Sequence, residues 1–344
     1  MVTRADVARM AGVSPAVVSY VINDGPRPVS KAARARVVAA IEALDYRPNA
    51  IASALRGGST RAVGLLVPST ISPYFAELTD IMERELYDSG NLLSVCITDD
   101  DASREVVHLQ SLADRRVDGI LLISSTGLDS VRAARIAPPP IVMIDRVSVD
   151  SSVPSVSVDN TADAAYAVEH LQSWGHTHIA CIAGPWPIPL SAQRVDGWRA
   201  QQGRIGAPNS ADLVVHTEFT SQGGLDAALA LLGPESRPMA VRGSRPTAVF
   251  VSSDAQAYGV LQACDQLGLR VPEDLSIVSF DGTQAARFSR PPLTTMRQPV
   301  RDIGLTSVRL LLGMIAGTST APDSVVYRSN LVLGGSCAPY VAPA

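Results

Sequence analysis

Aromatic residues make up only 5% of this 344-residue sequence, so any core must be filled by alanine, valine, leucine and isoleucine. Lysine is almost missing: every basic residue except Lys31 is arginine. The four cysteines, Cys96, Cys181, Cys264 and Cys337, are widely spaced and contain no CxxC pair. That spacing suits reduced thiols and excludes a disulfide framework or a zinc site. No apolar run approaches the length of a membrane span, and the opening residues MVTRADVARM lack the apolar stretch of a signal peptide. A cytoplasmic protein with no membrane association is therefore expected. His170, His176 and His178 have no metal-ligand spacing, and the glycines form neither a dinucleotide fingerprint nor a phosphate loop. Neither a metal nor a cofactor is expected. The same holds for catalysis, because no nucleophile is paired with a base.

What is present is ordinary for a globular protein with room for two or three domains: 46% hydrophobic and 18% charged residues. The net charge of −4 is unevenly spread. Residues 1–61 hold nine basic groups against four acidic ones, a net of +5, which leaves −9 on the remainder. A basic head on an acidic body points to a head that meets a polyanion.

Within the head, Arg4 to Met10 reads as a short helix with Val7 and Ala8 inward, ended by Gly12. Ser14 followed by Pro15 is a helix start, a hydroxyl cap and then a residue with no N–H to lose. The next helix, Pro15 to Ile22, buries Val18 and either Val21 or Ile22, and presents Ala16, Val17, Ser19 and Tyr20. A third helix follows Ser30, with Val37, Val38, Ile41 and Leu44 as its apolar stripe. Two helices joined by a glycine turn make a helix-turn-helix, whose second helix fits the major groove of DNA.

The stretches VTRADVARMAGVSPAVVSYVIN and RVVAAIEALDYRPNAIASALRGGSTRAVGLLVP resemble the start of a bacterial repressor of the LacI/GalR family, and the likeness extends to about Leu333. The resemblance implies a homodimer on palindromic double-stranded operator DNA. It assigns base and backbone contacts to Arg4, Ser14, Pro15, Ala16, Val17, Ser19, Tyr20 and Asn23. It also implies a hinge helix, Pro48 to Arg56, that folds on the minor groove with Asn49, Ala52 and Arg56 beside it and Leu55 as the intercalating wedge. Tyr20 stands where many members carry arginine or histidine, so a bidentate contact to guanine is lost there.

From Ala62 onward, apolar strand-like runs such as AVGLLVP, GILLIS, PIVMID, HIACIAG, TAVFVSS and LSIVSFD alternate with helical stretches. This alternation predicts two parallel sheets covered by helices, in two lobes similar to those of periplasmic sugar-binding proteins. The expected fold is thus an all-α helix-turn-helix domain joined to a two-lobed α/β effector domain. Its expected divisions are residues 1–47, a hinge at 48–61, and an effector domain at 62–344. Lobe one is expected over about 62–158 plus 292–322, and lobe two over about 159–291 plus 323–335.

In open parallel sheets ligands sit beyond the carboxyl ends of the strands. Tyr74, Phe75, Asp145, Arg146, Asp159, Trp186, Arg194, Ser253 and Asp281 fall at or just after such ends. Carboxylates and guanidiniums bind vicinal hydroxyls in pairs, and rings pack on the C–H face of a sugar, so a carbohydrate effector is expected. A purine-like ligand is the alternative within the same class, and a solute-binding transport component the alternative outside it. Asp254, opening a helix, reads as a cap, and Asp281 before glycine as either a ligand or a turn. By resemblance, Tyr74, Phe75, Asp145, Arg194, Ser253 and Asp281 line the effector cleft, with Ser253 in place of the usual asparagine.

Overall fold

The computed structural model describes residues 2–22, 25, 27–46, 59–147, 153–207, 211–234, 236, 245–318 and 324–341. The chain divides into two compact units, Met1–Thr60 and Arg61–Ala344. No single described helix is long and apolar enough to cross a membrane.

The first unit holds α1 (Arg4–Ala11), α2 (Pro15–Ile22) and α3 (Lys31–Ala43) around a core that includes Val7, Ala8, Val18, Val21 and Val37. Thr3 and Asp6 cap α1 reciprocally, and Gly12 ends it at φ 60°, a left-handed position where glycine escapes the Cβ penalty. The stripe expected on α3 is shifted: Val38 is exposed and Ala40 is buried instead. On a 3.6-residue period the inward row after Val37 runs through positions 40, 41 and 44, and position 38 turns away.

The second unit contains two six-stranded sheets. Sheet one, in the order β11-β5-β4-β3-β1-β2, comprises β1 (Ala62–Val67), β2 (Leu92–Ile97), β3 (Gly119–Leu122), β4 (Ile141–Ile144), β5 (Ser155–Val158) and β11 (Ser324–Tyr327). Sheet two, in the order β12-β10-β9-β8-β6-β7, comprises β6 (Ile179–Ala183), β7 (Val214–His216), β8 (Ala248–Val251), β9 (Ser276–Asp281), β10 (Thr294–Arg297) and β12 (Asn330–Val332). All the pairings are parallel except β10 with β12. Both sheets therefore repeat one pattern, in which the second strand of a series lies on one side of the first and the third on the other. That reversal opens a crevice at the strand ends.

Helices cover the sheets: α4 (Pro73–Asp88), α5 (Ala102–Asp114), α6 (Asp129–Ala133) and α11 (Val300–Ile315) on sheet one, and α7 (Asn160–Ser173), α8 (Pro189–Arg204), α9 (Ser221–Leu232) and α10 (Asp254–Gln266) on sheet two. Helices α9 and α10 meet backbone to backbone. A Cβ on Gly259 would lie 1.9 Å from the Ser221 carbonyl, and one on Gly224 2.0 Å from the Gln256 carbonyl. Only glycine permits that approach.

The lobe divisions differ from expectation. Thr294–Arg297 belongs to sheet two, paired with β9 from Thr294↔Val278 to Arg297↔Asp281, and Ser324–Tyr327 belongs to sheet one, paired with β5. The free edge of β9 takes up the first segment, so the chain leaves lobe two only after Gln298. The chain thus passes between the lobes three times, at Asp159, at Gln298 and at Arg328–Ser329. The first and third passages are bonded together: Asp159 N–H donates to the Tyr327 carbonyl at 3.0 Å, and Asp163 accepts from Arg328 Nε at 2.7 Å and Ser329 N–H at 2.8 Å.

Candidate functional site

In the head, the axes of α1 and α2 are bent by 102° from one another. Ser14 caps α2: Val17 N–H reaches the Ser14 carbonyl at 3.0 Å and its Oγ at 3.4 Å. Ser14, Pro15 and Ala16 are exposed, Val17, Ser19 and Tyr20 half-buried, and Val18 and Val21 buried. The outward row of α2 carries no charged side chain. Tyr20 packs on Gly25, where a Cβ would come within 2.5 Å of its ring. Arg4 is half-buried at the start of α1. Asn23 and the hinge residues Asn49, Ala52, Leu55 and Arg56 lie outside the described residues.

Between the lobes of the second unit runs a cleft with two connected chambers that share Ser72, Phe75, Arg146, Phe219 and Ala255. The inner chamber, about 30 Å³, is lined by Tyr74, Asp145, Arg194, Ser253, Asp281 and Gln298 among others. The outer one measures about 470 Å³, within the range of small-molecule sites.

Each inner side chain is set by a strand end or a helix start. Pro73 opens α4 and puts Tyr74 and Phe75 on its first turn, with their rings edge to face at 5.3 Å. The Tyr74 hydroxyl lies 3.3 Å from Asp145 Oδ1 and 3.1 Å from Gln298 Oε1. Burial raises the Tyr74 phenol well above its ordinary range, and the Asp145 and Asp281 charges add to the shift, so it stays a donor. Asp145 follows β4 at φ 64° and is buried. Desolvation lifts its carboxyl, while the Arg194 and Arg146 charges pull it back. Asp281 ends β9 at φ 106°, ahead of Gly282. Burial raises it well above the usual carboxylate range in spite of Arg194, and Asp254 and Asp145 push the same way.

Arg194, on α8, sits between these carboxylates. Its Nε donates to Asn160 Oδ1 at 2.9 Å, one terminal nitrogen donates to the Ser252 carbonyl, and its guanidinium lies 3.8 Å over the Phe280 ring. Asp281 Oδ1 is 3.9 Å away. Gln298, on a passage between the lobes, meets Tyr74 from one lobe and donates from Nε2 to Asp281 Oδ1 of the other at 3.0 Å.

Seven of the nine cleft candidates thus line one cavity: Tyr74, Phe75, Asp145, Arg146, Arg194, Ser253 and Asp281. Two do not. Asp159 caps α7, accepting from Ala162 N–H at 3.0 Å, in a depression that shares only Asp145 with the inner chamber. Trp186 is 71% exposed and meets His216 edge-on, away from the cavity. The cap of α10 is Ser253, which accepts from Gln256 N–H, and not Asp254 as its place in the sequence suggested. Asp254 is buried instead, accepting from Ser279 Oγ, Thr295 Oγ1 and both the N–H and Oγ1 of Thr283, and so ties β9, β10 and the turn after Asp281 together. Sequence reasoning missed Ser72, Leu190, Phe219, Ala255 and Gln298 on the cavity wall, and Asn160 behind Arg194. Phe219 follows β7 by three residues, so the strand-end rule had the signal for it. It lies over the end of β6, where a Cβ on Gly184 would come within 2.0 Å of its ring. Among the described residues no group of three or more His, Cys, Asp or Glu is placed to hold a metal ion.

Residues 3–49 match the family of bacterial regulatory proteins, lacI family, and residues 168–337 match the periplasmic binding protein-like domain. The ribose operon repressor of Escherichia coli (strain K12) is 37% identical over 317 residues, covering 92% of this chain and 93% of that protein. The HTH-type transcriptional repressor PurR of Vibrio vulnificus (strain CMCP6) is 34% identical over 318 residues, covering 92% of each. Among solved structures, the Lac repressor dimer bound to operator and the anti-inducer ONPF superposes with a TM-score of 0.85 at 27% identity, covering 98% of this chain and 99% of that one. A LacI family transcriptional regulator from Enterococcus faecium with bound ribose gives a TM-score of 0.72 at 27% identity, covering 81% and 100%. With a helix-turn-helix head, a two-lobed α/β body and relatives that match nearly end to end, this chain belongs to the LacI family of DNA-binding transcriptional regulators.

Proposed function

We propose that the protein is a homodimeric repressor of a palindromic operator and that a neutral sugar, bound in the interlobe cleft, controls it. One observation carries the choice of ligand: two carboxylates, the buried Asp145 from lobe one and the half-buried Asp281 from lobe two, face the Arg194 guanidinium. Carboxylate and guanidinium groups together accept from and donate to neighbouring hydroxyls, and Phe75 and Phe219 offer apolar walls for a sugar ring. The acidic pair also disfavours a phosphorylated or carboxylated ligand. The ribose-bound relative and the ribose operon repressor agree with a sugar. The inner chamber, at about 30 Å³, holds roughly one water, so a sugar that reaches Arg194 from the outer chamber has to widen it. Binding therefore shifts the balance between lobe arrangements by its differential affinity for them.

On the DNA side, α2 enters the major groove through Ser14, Pro15, Ala16, Val17, Ser19 and Tyr20, with Arg4 and Asn23 on the backbone. Asn49, Ala52, Leu55 and Arg56 serve the minor groove. The +5 charge of residues 1–61 makes this binding steeply salt-dependent. The protein acts in the cytoplasm, without catalysis. Calorimetry on the full-length protein with D-ribose, other neutral monosaccharides, adenine, guanine and hypoxanthine tests the ligand, and operator titration with and without the binder tests control. Sugar binding that alters operator affinity is expected. Binding by a purine alone would replace the sugar with the second ligand class, and binding by none would remove the cleft assignment.

A further inference from the structure

The run Asp99-Asp100-Asp101, between β2 and α5, borders the outer chamber through Asp99 and Asp100. Each of its carboxylates has a different partner. Asp101 caps α5, accepting from Ser103 N–H at 2.7 Å and Arg104 N–H at 3.3 Å. Asp99 pairs with Arg104, and Asp100 pairs with Arg146. Asp99 and Asp100 adopt φ of 51° and 57° in succession, in a turn closed by Asp101 N–H to the Thr98 carbonyl at 3.0 Å. Consecutive left-handed residues other than glycine are disfavoured, aspartate less than most. The neighbouring chain braces the turn: Asp99 N–H donates to the Pro68 carbonyl at 3.0 Å, and Ser125 Oγ donates to the Asp100 carbonyl at 3.4 Å.

What the turn presents is the Asp100 carboxylate, and what it meets is a cleft residue. Arg146 follows β4, lines both chambers, and has a side chain only 1% exposed. Both of its terminal nitrogens go to Asp100, the second at 3.3 Å. Its guanidinium stands 5.7 Å from the Phe75 ring centre and 6.0 Å from that of Phe219, which belongs to the other lobe. Arg146 Nε is buried and has no hydrogen-bond partner among the described residues. A buried donor on a charged group is costly to leave unmade, and here it borders a cavity.

We propose that Asp100 is a positioning residue of the effector site: it neutralises Arg146 and fixes its guanidinium plane between Phe75 and Phe219, leaving Nε–H as the donor for an oxygen of the bound sugar. This rests on the cleft being the sugar site. Asp100 lines the outer chamber and acts on the inner one through Arg146.

The experiment is calorimetry on full-length wild type, D100N, D100E, R146Q and the double variant D100N/R146Q, with D-ribose and a set of neutral hexoses as probes. Asparagine tolerates left-handed backbone as aspartate does, so D100N removes the charge and spares the turn. The expected result is a loss of about tenfold or more in D100N for whichever probe binds the wild type. Most of the affinity returns in D100E, and D100N has no further effect once Arg146 is glutamine. Should D100N fail to fold by circular dichroism, D100G, which also tolerates left-handed backbone, and D100G/R146Q decide by the same cycle. Unchanged affinity in D100N, or an equal loss in the R146Q background, overturns the positioning role and leaves the cleft assignment standing. Failure of every probe to bind the wild type overturns that assignment and this proposal with it.

Discussion

Arg146 and Arg194 face one cleft from opposite lobes and are held in opposite ways. Arg146 is neutralised inside its own lobe, by a carboxylate only a turn away from β2. Arg194 has uncharged hydrogen-bond acceptors, the Asn160 amide and the Ser252 carbonyl, and its counter-charges stand further off. One of them, Asp281, shares its lobe; the other, Asp145, belongs to lobe one. An ion pair closed within one lobe does not sense how far apart the lobes are. A cation whose counter-charges are divided between lobes does, because the energy of a charge pair in a low-dielectric interior changes steeply with distance. In the proposed site this difference would make Arg146 an anchor and Arg194 the coupling residue.

The strongest way to break this comparison is to remove the shared cation. Arg194→Met keeps the apolar stem over Phe280 and leaves Asp145 and Asp281 with no positive charge between them. Truncating one partner of a buried charge pair costs about 2–5 kcal/mol, so effector affinity should drop by roughly 100-fold or more. Operator binding without effector should persist. Equal ligand affinity in wild type and mutant, measured by calorimetry, would show that Arg194 is not in the site.

Next in size is the support beneath Asp281. Asp254 accepts four hydrogen bonds, and Asn in its place would turn an amide N–H₂ toward donors on one side. Asp254→Asn should lower stability by about 3 kcal/mol, read by urea denaturation, and weaken effector binding through the displaced turn. A stability change under about 1 kcal/mol would mean that hydroxyl groups reorient to satisfy the amide.

The ligand's effect on protons sharpens the comparison further. Burial raises both Asp145 and Asp281, so the folded protein keeps protons that the unfolded chain has released. These groups therefore cost stability as pH rises from the unfolded carboxylate range through their folded values. A sugar that donates hydroxyls to ionised carboxylates binds the deprotonated form. Its affinity should rise with pH over the same window and then level off, with protons released on binding. Calorimetry in buffers of different ionisation enthalpy measures that release. Proton uptake would reverse the assigned direction of the hydrogen bonds.

These charges were open to sequence reasoning to different degrees, for physical reasons. Asp145, Arg146, Ser253 and Asp281 each follow a buried apolar run, and a parallel sheet delivers such residues to one edge. Tyr74 and Phe75 follow the same rule one helix turn on. Gln298 was harder, because its role depends on two lobes meeting at a passage that no local period marks. Asp254 reads as the cap from its place in the sequence, yet Ser253 can cap a helix too, and only the hydroxyls of Ser279, Thr283 and Thr295, distant in sequence, draw Asp254 inward and leave the cap to Ser253. Asp100 follows β2 by three residues, as Phe219 follows β7, but its pairing with Arg146, 46 residues on, is marked by no local pattern.

The smallest effects belong to the two candidates that stand apart from the cavity, and they test whether the cleft boundary is drawn correctly. Asp159 also ends a strand, yet its carboxylate accepts from Ala162 N–H at the start of α7. Asp159→Ala should therefore cost about 1 kcal/mol of stability, the usual worth of a helix cap, and lower the melting temperature by roughly 2–4 °C. Trp186 is largely exposed and meets only the edge of His216, so Trp186→Ala should change stability by less than about 0.5 kcal/mol. Neither substitution should move effector affinity beyond the error of a calorimetric titration. A loss in Trp186→Ala would mean that the loop carrying it folds over the cleft when ligand binds. A loss in Asp159→Ala larger than its stability change would instead implicate the first passage between the lobes, where the Asp159 N–H already holds the Tyr327 carbonyl. In that case coupling between the lobes would run through this paired passage as well as through Arg194.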